Sequence, residues 1–293
     1  MSDLEIAQEV QAALRREAPV VALETTLVAH GFPAPTGAEV GQEAEAAVRE
    51  AGAVPATVGV LDGRIRVGVG LEELGRFTVE SRKVGPRDLA ACAVARATGA
   101  TTVGGTLAVA ALAGIRFLGT GGIGGVHRGF AALPDVSADL PTLARAPVLV
   151  CSSGAKSLLD VPATVELLET LGIPVLGYRT DTLPRFYSAE GGPAAPRVES
   201  AADAARIAAA HWRLGGGGLL LANPPPESID VSELIEAGLA EAAASRVSGQ
   251  AVTPFVLAFL HERTDGRTLA LNRRLVVANA RLAAEVAVAF ASL

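Results

Sequence analysis

The sequence predicts an α/β fold, with a mostly parallel or mixed central sheet and a helical C-terminal region packed onto it. Three observations carry this expectation. Half of the 293 residues are hydrophobic, which is enough for one sizeable core. Between residues 99 and 222, short apolar runs of strand length alternate with longer helical segments, as βαβ units do. Beyond residue 230 the pattern is helical throughout. No composition shift marks a linker and no internal repeat occurs, so residues 1–293 are expected to form a single α/β domain.

Residues 4–16 place Leu4, Ala7, Val10 and Leu14 near one stripe and are expected to be helical. Val20-Val21-Ala22-Leu23 is short and wholly apolar, a buried strand that ends at Glu24-Thr25-Thr26. The next helix is strongly punctuated. Thr36 is placed as its N-cap, Glu39 completes a capping box, Val40, Ala44, Ala47, Val48 and Ala51 share one face, and Gly52 is the stop. Residues 56–69 read as a hairpin around Asp62-Gly63, a pair suited to the positive φ angles of a type I′ turn. There Arg64 and Arg66 alternate with Ile65 and Val67, giving one wet and one packed face. A helix over 87–98 stops at Gly99. Strands follow at 101–103, 115–118, 147–151, 173–178 and 218–222, with helices at 106–113, 162–171 and 200–214. Residues 191–196, rich in glycine and proline, form a surface loop. Asp230 with Glu233 caps the first helix of the final region, which continues over 254–262 and 268–291.

A net charge of −6 and a pI near 5.4, with no basic run or aromatic-plus-basic cluster, argue against nucleic acid as a partner. The start, Met1-Ser2-Asp3-Leu4-Glu5, is acidic and polar, unlike a secretory signal. The longest apolar stretch, 103–115, contains three glycines and is closed by Arg116, short of the ~20 residues that span a bilayer. A cytoplasmic protein without a membrane partner is expected. Cys92 and Cys151 are too few for a disulfide framework and read as reduced core thiols.

Lysine is the most informative residue type. Only Lys83 and Lys156 occur, against 23 arginines. Arginine replaces lysine as a surface charge but cannot lose its proton and attack a carbonyl carbon. Two readings stand: an arginine-biased genome, or two positions where an amine or a compact ammonium is required. Lys156 follows a strand within Gly154-Ala155-Lys156-Ser157 and is expected to open a helix. The helix dipole there would lower an amine's pKa and suit a Schiff-base nucleophile. The plain alternative is a surface lysine. Lys83, in Ser81-Arg82-Lys83-Val84, is either an anchor for phosphate or carboxylate or an exposed charge.

Ligands of parallel α/β sheets gather beyond the C-terminal strand ends. Four predicted strands end in polar or glycine-rich segments: Glu24-Thr25-Thr26, the run 119–128, Ser152 through Lys156, and Asn223-Pro224. They are expected to build one composite site. The glycines at 121, 122, 124 and 125 let backbone N–H groups approach an anion, and His127 and Arg128 beside them point to phosphate. A structural histidine and a tight turn are the competing explanation. Glu24, after four apolar residues, is either a desolvated acid of raised pKa or an ordinary exposed carboxylate. Asp135-Val136-Ser137-Ala138-Asp139 reads either as a helix start, with Ser137 capping and Asp139 in the first turn, or as a hard-metal or sugar-hydroxyl site.

These segments, with His30-Gly31, Gly52 through Thr57, Ala222-Asn223-Pro224 and Thr253-Pro254-Phe255, resemble the pseudouridine-5′-phosphate glycosidases over residues 21–286. The resemblance implies a three-layer α/β/α fold and reversible cleavage of the C–C bond of pseudouridine 5′-phosphate to uracil and ribose 5-phosphate. It implies one Mn²⁺ per subunit and a homotrimer. It assigns Lys156 to an imine with C1′ of the opened ribose and Glu24 to the general acid. Lys83, the main chain at Val103, His127, Ser137, Ala138 and Asp139 match substrate contacts, Asn279 an asparagine near the site, and Asp135 the metal ligand. Gly37 stands where many members have asparagine. A C–C glycosidic bond has no leaving heteroatom to protonate, so paired carboxylates alone would not cleave it, whereas an imine supplies an electron sink. Two other readings are another Schiff-base phosphosugar lyase and a non-catalytic phosphosugar-binding protein.

Overall fold

The structure, a computed structural model, describes residues 4–131, 134–247 and 249–293. The first segment departs from expectation. Leu4–Ile6 is a strand (β1), and the helix is confined to Gln8–Arg15 (α1). The apolar stripe was real, but its first turn is taken by pairing with a later strand, a partner that local periodicity does not reveal. Strand β2 (Val20–Glu24) is buried along its whole length. A π-helical turn at Leu27–Gly31 precedes α2 (Thr36–Glu50). Pro35 occupies the N-cap of α2, so Thr36 is already helical and the expected capping box does not form.

The hairpin is as expected: β3 (Val54–Leu61) and β4 (Arg64–Val67) flank Asp62 at φ 52° and Gly63 at φ 79°. Strand β5 (Arg82–Val84) carries Lys83. The helix expected at 87–98 shrinks to a 3₁₀ turn and α3 (Leu89–Val94), because β6 (Gly99–Thr101) begins where the helix was to stop. Helix α4 (Val103–Ala113) starts three residues early, with the Thr102 hydroxyl accepting from the Gly105 N–H at 3.1 Å.

Then come β7 (Phe117–Gly119), α5 (Asp139–Leu143), β8 (Leu149–Ser152), α6 (Val161–Thr170) and β9 (Val175–Tyr178). The two-residue β10 (Arg197–Val198) precedes α7 (Ala201–Arg213), which Ser200 caps through the Asp203 N–H. Strand β11 (Leu219–Ala222) ends the sheet. Helix α8 (Ser232–Ala244) begins one residue later than Asp230 would place it, although the Asp230 carboxylate still accepts from the Ser232 N–H. Helices α9 (Val252–Arg263) and α10 (Arg267–Ala291) close the chain.

Among the described residues, all eleven strands join one sheet in the order β1-β4-β3-β2-β7-β8-β11-β9-β10, with β6 on β3 and β5 on β6. Pairing is parallel except between β3 and β4 and between β3 and β6, so the sheet is mixed but mostly parallel. Helices α2, α7 and α10 pack together on one face and α4 with α5 on the other, giving α/β/α layering. Both cysteines are buried and unbridged.

The register fixes the site. Leu23 pairs with Gly119, Gly119 with Cys151, and Cys151 with Leu221. The C-terminal ends of β2, β7, β8 and β11 therefore lie side by side, and the four segments leaving them emerge at one edge.

Candidate active site

Glu24 is the last residue of β2 and is 7 % exposed. The Thr120 hydroxyl, one residue past β7, donates to its carboxylate. Burial raises the Glu24 pKa, while Lys156, the Thr120 hydrogen bond and Lys83 pull it down and Asp139 pushes it up. The next two residues are structural. The Thr25 hydroxyl donates to the Val58 carbonyl and accepts the Thr101 N–H, and the Thr26 hydroxyl donates to the Ala100 carbonyl. They bind the end of β2 to β3 and β6.

Lys156 lies in an extended loop that continues the β7–β8 pairing. Ile123 N–H donates to the Gly154 carbonyl at 3.0 Å, and Lys156 N–H to the Ile123 carbonyl at 3.1 Å. Gly154 has φ 77°, and a Cβ there would sit 1.9 Å from the Pro184 carbonyl oxygen, so only glycine fits. The helix expected to open at Lys156 starts instead at Val161, capped by Asp160. The dipole argument for Lys156 therefore falls, and what surrounds the amine is charge: Glu24 and Lys83 both interact with it electrostatically.

Lys83 reaches the same cleft from β5. Burial lowers its pKa to about 8, with the Lys156 charge acting the same way and Asp139 and Glu24 opposing. Glu24, Lys83, Lys156, Thr120, Gly121 and Gly122 line this cleft together with the apolar Leu27, Phe186, Pro254 and Leu257. A larger cavity of about 480 Å³ opens at the opposite ends of β2 and β7, against Phe290 of α10. It holds no cluster of titratable groups, so the chemistry belongs to the strand-end cleft.

The 135–139 segment is brought close, but its carboxylates divide. Asp139 is 5 % exposed and accepts the Gly104 N–H at 2.7 Å and the Gly124 N–H at 2.8 Å. It ties the start of α4 to the glycine-rich loop. Ala138, not Ser137, is the N-cap of α5; the Ser137 hydroxyl accepts the Asp139 N–H at 3.2 Å. A Cβ on Gly124 would approach the Ser137 hydroxyl oxygen to 2.3 Å, so the loop must carry glycine here. Asp135 is half-exposed, across a β-bridge flank from His127, whose Nδ1 lies 3.9 Å from its carboxylate. Burial lowers the His127 pKa; Asp135 raises it, and Lys156 and Lys83 lower it. Arg128 is engaged by Glu236 rather than held for an anion.

Asn279 stands behind the cleft on α10, fully buried. Its amide nitrogen donates to the Thr120 carbonyl at 2.8 Å and the Ser153 hydroxyl at 3.2 Å, and its oxygen accepts from the Asn223 amide at 3.0 Å. It thus ties together the segments that follow β7, β8 and β11. Gly37 packs against the Val28 carbonyl, where a Cβ would come within 2.0 Å, so an asparagine would need a shifted backbone. Sequence reasoning assigned no role to two further cleft residues, His30 and Asn272. The signal for Asn272 was a polar residue seven positions before Asn279 in the buried stripe of α10.

A profile of the family described as indigoidine synthase A like protein matches residues 9–289. A curated protein of Paracoccus denitrificans, named pseudouridine-5′-phosphate glycosidase, is 48 % identical over 98 % of both chains. One of the same name from Herpetosiphon aurantiacus is 47 % identical, covering 99 % of this chain and 98 % of its own. Among solved structures, the prealnumycin C-glycosynthase AlnA in complex with ribulose 5-phosphate superposes with a TM-score of 0.88 at 38 % identity, covering 99 % of this chain and 97 % of AlnA. With a family model matched over nearly the whole chain and relatives at close to half identity, the chain belongs to the indigoidine synthase A like family, among relatives named pseudouridine-5′-phosphate glycosidase.

Proposed function

We propose that this protein cleaves the C–C glycosidic bond of pseudouridine 5′-phosphate reversibly, giving uracil and ribose 5-phosphate through a lysine imine. The observation that carries the reading is the convergence of the chain's only two lysines and a buried, pKa-raised glutamate on one strand-end cleft. The Lys156 amine attacks C1′ and displaces O4′, and the proton shed by the attacking nitrogen goes to O4′ as the ring opens. Glu24, whose pKa burial raises, then delivers its proton to C5 of the uracil. The C1′–C5 electron pair goes to C5 as the nitrogen lone pair forms the C1′=N bond, and water releases ribose 5-phosphate and the free amine. Lys83 meets the phosphosugar as a charge, being mostly protonated at neutral pH with a pKa of about 8. The first turn of α4 commits the Gly104 N–H to Asp139 and the Gly105 N–H to Thr102, which leaves the Val103 main chain for substrate. His127, Ser137 and Ala138 complete the contacts, and Asp139 and Asn279 hold the loops that present them.

The reading includes one Mn²⁺ per subunit, a homotrimer and a cytoplasmic location, all supported by the family resemblance. Among the described residues no three His, Cys, Asp or Glu side chains gather as a metal cage. What is present fits an ion held by one half-exposed carboxylate, Asp135, with water completing the shell. Such an ion adds positive charge beside the phosphosugar. Asp135→Asn should lose Mn²⁺ binding in a titration followed by electron paramagnetic resonance; unchanged binding would sink that assignment. Light scattering should give three times 29.7 kDa. Among the described residues no helix is long and apolar enough to cross a membrane.

A phosphosugar in the site is also what the ribulose 5-phosphate complex of AlnA supports. That observation alone would suit a different Schiff-base phosphosugar enzyme. The deciding assay is uracil release from pseudouridine 5′-phosphate, with and without Mn²⁺. Release at enzymatic rates is expected. Its absence, alongside borohydride trapping of ribose 5-phosphate on Lys156, would favour the other lyase; absence of both would leave a binding protein.

A further inference from the structure

Beside its lysines the cleft has a second chemical character. Leu27, Phe186, Pro254 and Leu257 give it an apolar wall with one aromatic ring. Among the polar side chains that share this lining are His30 and Asn272. Asn272 is 2 % exposed, and among the described residues its side-chain amide makes no hydrogen bond; its Oδ1 is buried without a partner. Asn279, two turns along the same buried stripe, bonds through both ends of its amide. One helix face therefore carries one satisfied asparagine and one unsatisfied, and the unsatisfied one lines the cleft. An unpaired buried amide costs stability that leucine or alanine would recover, so it needs a partner that arrives with a ligand.

His30 repeats the pattern. It sits on the π-helical turn Leu27–Gly31, a distortion frequent at functional sites. Its ring hydrogen-bonds the Ser81 backbone, and Nε2 is buried with no partner. Burial and the Lys83 charge both lower its pKa, which favours the neutral ring, whose unpartnered Nε2 can accept a hydrogen bond.

We infer that Asn272 and His30 form the base-reading edge of the site, selecting a uracil joined through carbon over one joined through nitrogen. The inference rests on the proposed function and names what reads the base. Together the two side chains offer an acceptor and a donor from the amide and an acceptor from the imidazole. In uracil linked through C5, the edge farthest from the sugar is N1–H, C2=O, N3–H: donor, acceptor, donor. That is the complement of the two side chains. In uracil linked through N1, the far edge is N3–H, C4=O and C5–H, so one of the two acceptors meets a carbon. A site built to hydrogen-bond a ring N–H rejects an analogue that lacks it far more strongly than an apolar pocket could. Phe186 and Leu257 supply apolar surface for the ring in the same cleft as Glu24 and Lys156, where C5 and C1′ react.

The test uses the synthetic direction, where base and sugar are separate substrates. For Asn272→Ala and His30→Ala, the KM for uracil should rise roughly ten- to a hundredfold while the KM for ribose 5-phosphate stays within about twofold. His30→Gln, which keeps an acceptor, should recover much of the loss. Wild-type enzyme should reject 1-methyluracil and 3-methyluracil, and each alanine variant should relax rejection of one of them. Borohydride trapping of ribose 5-phosphate on Lys156 reports that the variants are folded. If trapping persists and the uracil KM is unchanged, or both KM values rise together, the base-reading role is wrong while the proposed function stands. If wild-type enzyme neither forms nor cleaves pseudouridine 5′-phosphate, the proposed function fails and this inference fails with it.

Discussion

Lys156 and Lys83 have the same side chain in the same cleft, yet the proposed chemistry asks different things of them. Lys156 must form a covalent bond through nitrogen, which a guanidinium does not do. Lys156→Arg is expected to abolish turnover, with the fold retained by circular dichroism, and to erase the borohydride-trapped pentose phosphate adduct from the wild-type mass spectrum. Turnover in that variant would remove the imine from the mechanism. Lys83 must only carry charge, and its pKa of about 8 sets a pH limit on that. As pH rises through 8 the ammonium is lost, so the KM for the phosphosugar should climb on the alkaline side. Lys83→Arg stays charged, so its KM should hold flat across the same range. An alkaline rise that survives Lys83→Arg belongs to another group. The scarcity of lysine in the sequence was enough to single out both residues. It could not reveal that one would be desolvated beside the other, because β5 is placed by pairing with β6 across the chain.

At the level of elements, the site hangs on Asp139. Its carboxylate holds the N-terminal turn of α4 and the glycine-rich loop with one hydrogen bond each. Asp139→Ala leaves two buried N–H groups without an acceptor and should cost about 3 kcal/mol of stability, read as a lowered urea midpoint. Asp139→Asn, which keeps one acceptor, should cost less. Equal midpoints for wild type and the alanine variant would mean that water replaces the carboxylate. Sequence reasoning located this segment and offered a helix start, a hard-metal or sugar-hydroxyl site, and by resemblance a substrate contact, but not a brace between two loops. The partners, Gly104 and Gly124, are 35 and 15 residues away, and no local pattern encodes them. Helix ends divided in the same way. The helix from residue 200 was legible because its pattern is local, down to the Ser200 cap on the Asp203 N–H, whereas the strand at Leu4–Ile6 was not, since only β4 makes it one.

Across the whole molecule, parallel register does most of the positioning. The alternation of apolar runs and helices was enough to predict strand ends converging on one edge, and that part of the site was legible. In the long final helix the resemblance singled out Asn279, whereas Asn272, seven residues earlier on the buried face, was passed over. They act on the sheet from outside it: Asn279 joins three strand-end segments, and Asn272 faces the cleft.

The zipper between the glycine-rich loop and the lysine loop has a further consequence for how the protein spends its time. The backbone around Lys156 is not a flap that must settle before reaction; it is hydrogen-bonded to residues 121–123 as an annex of the sheet. Opening it would require fraying β7 from β8 in the middle of the core. In deuterium, the amides of Ile123, Ser153 and Lys156 should therefore exchange as slowly as those of neighbouring core strands, with or without ribose 5-phosphate. Rapid exchange there that slows on adding the sugar would mean that the ligand assembles this loop. With slow exchange in the free protein, the entropy of fixing the nucleophile has been met at folding, once per molecule instead of once per turnover.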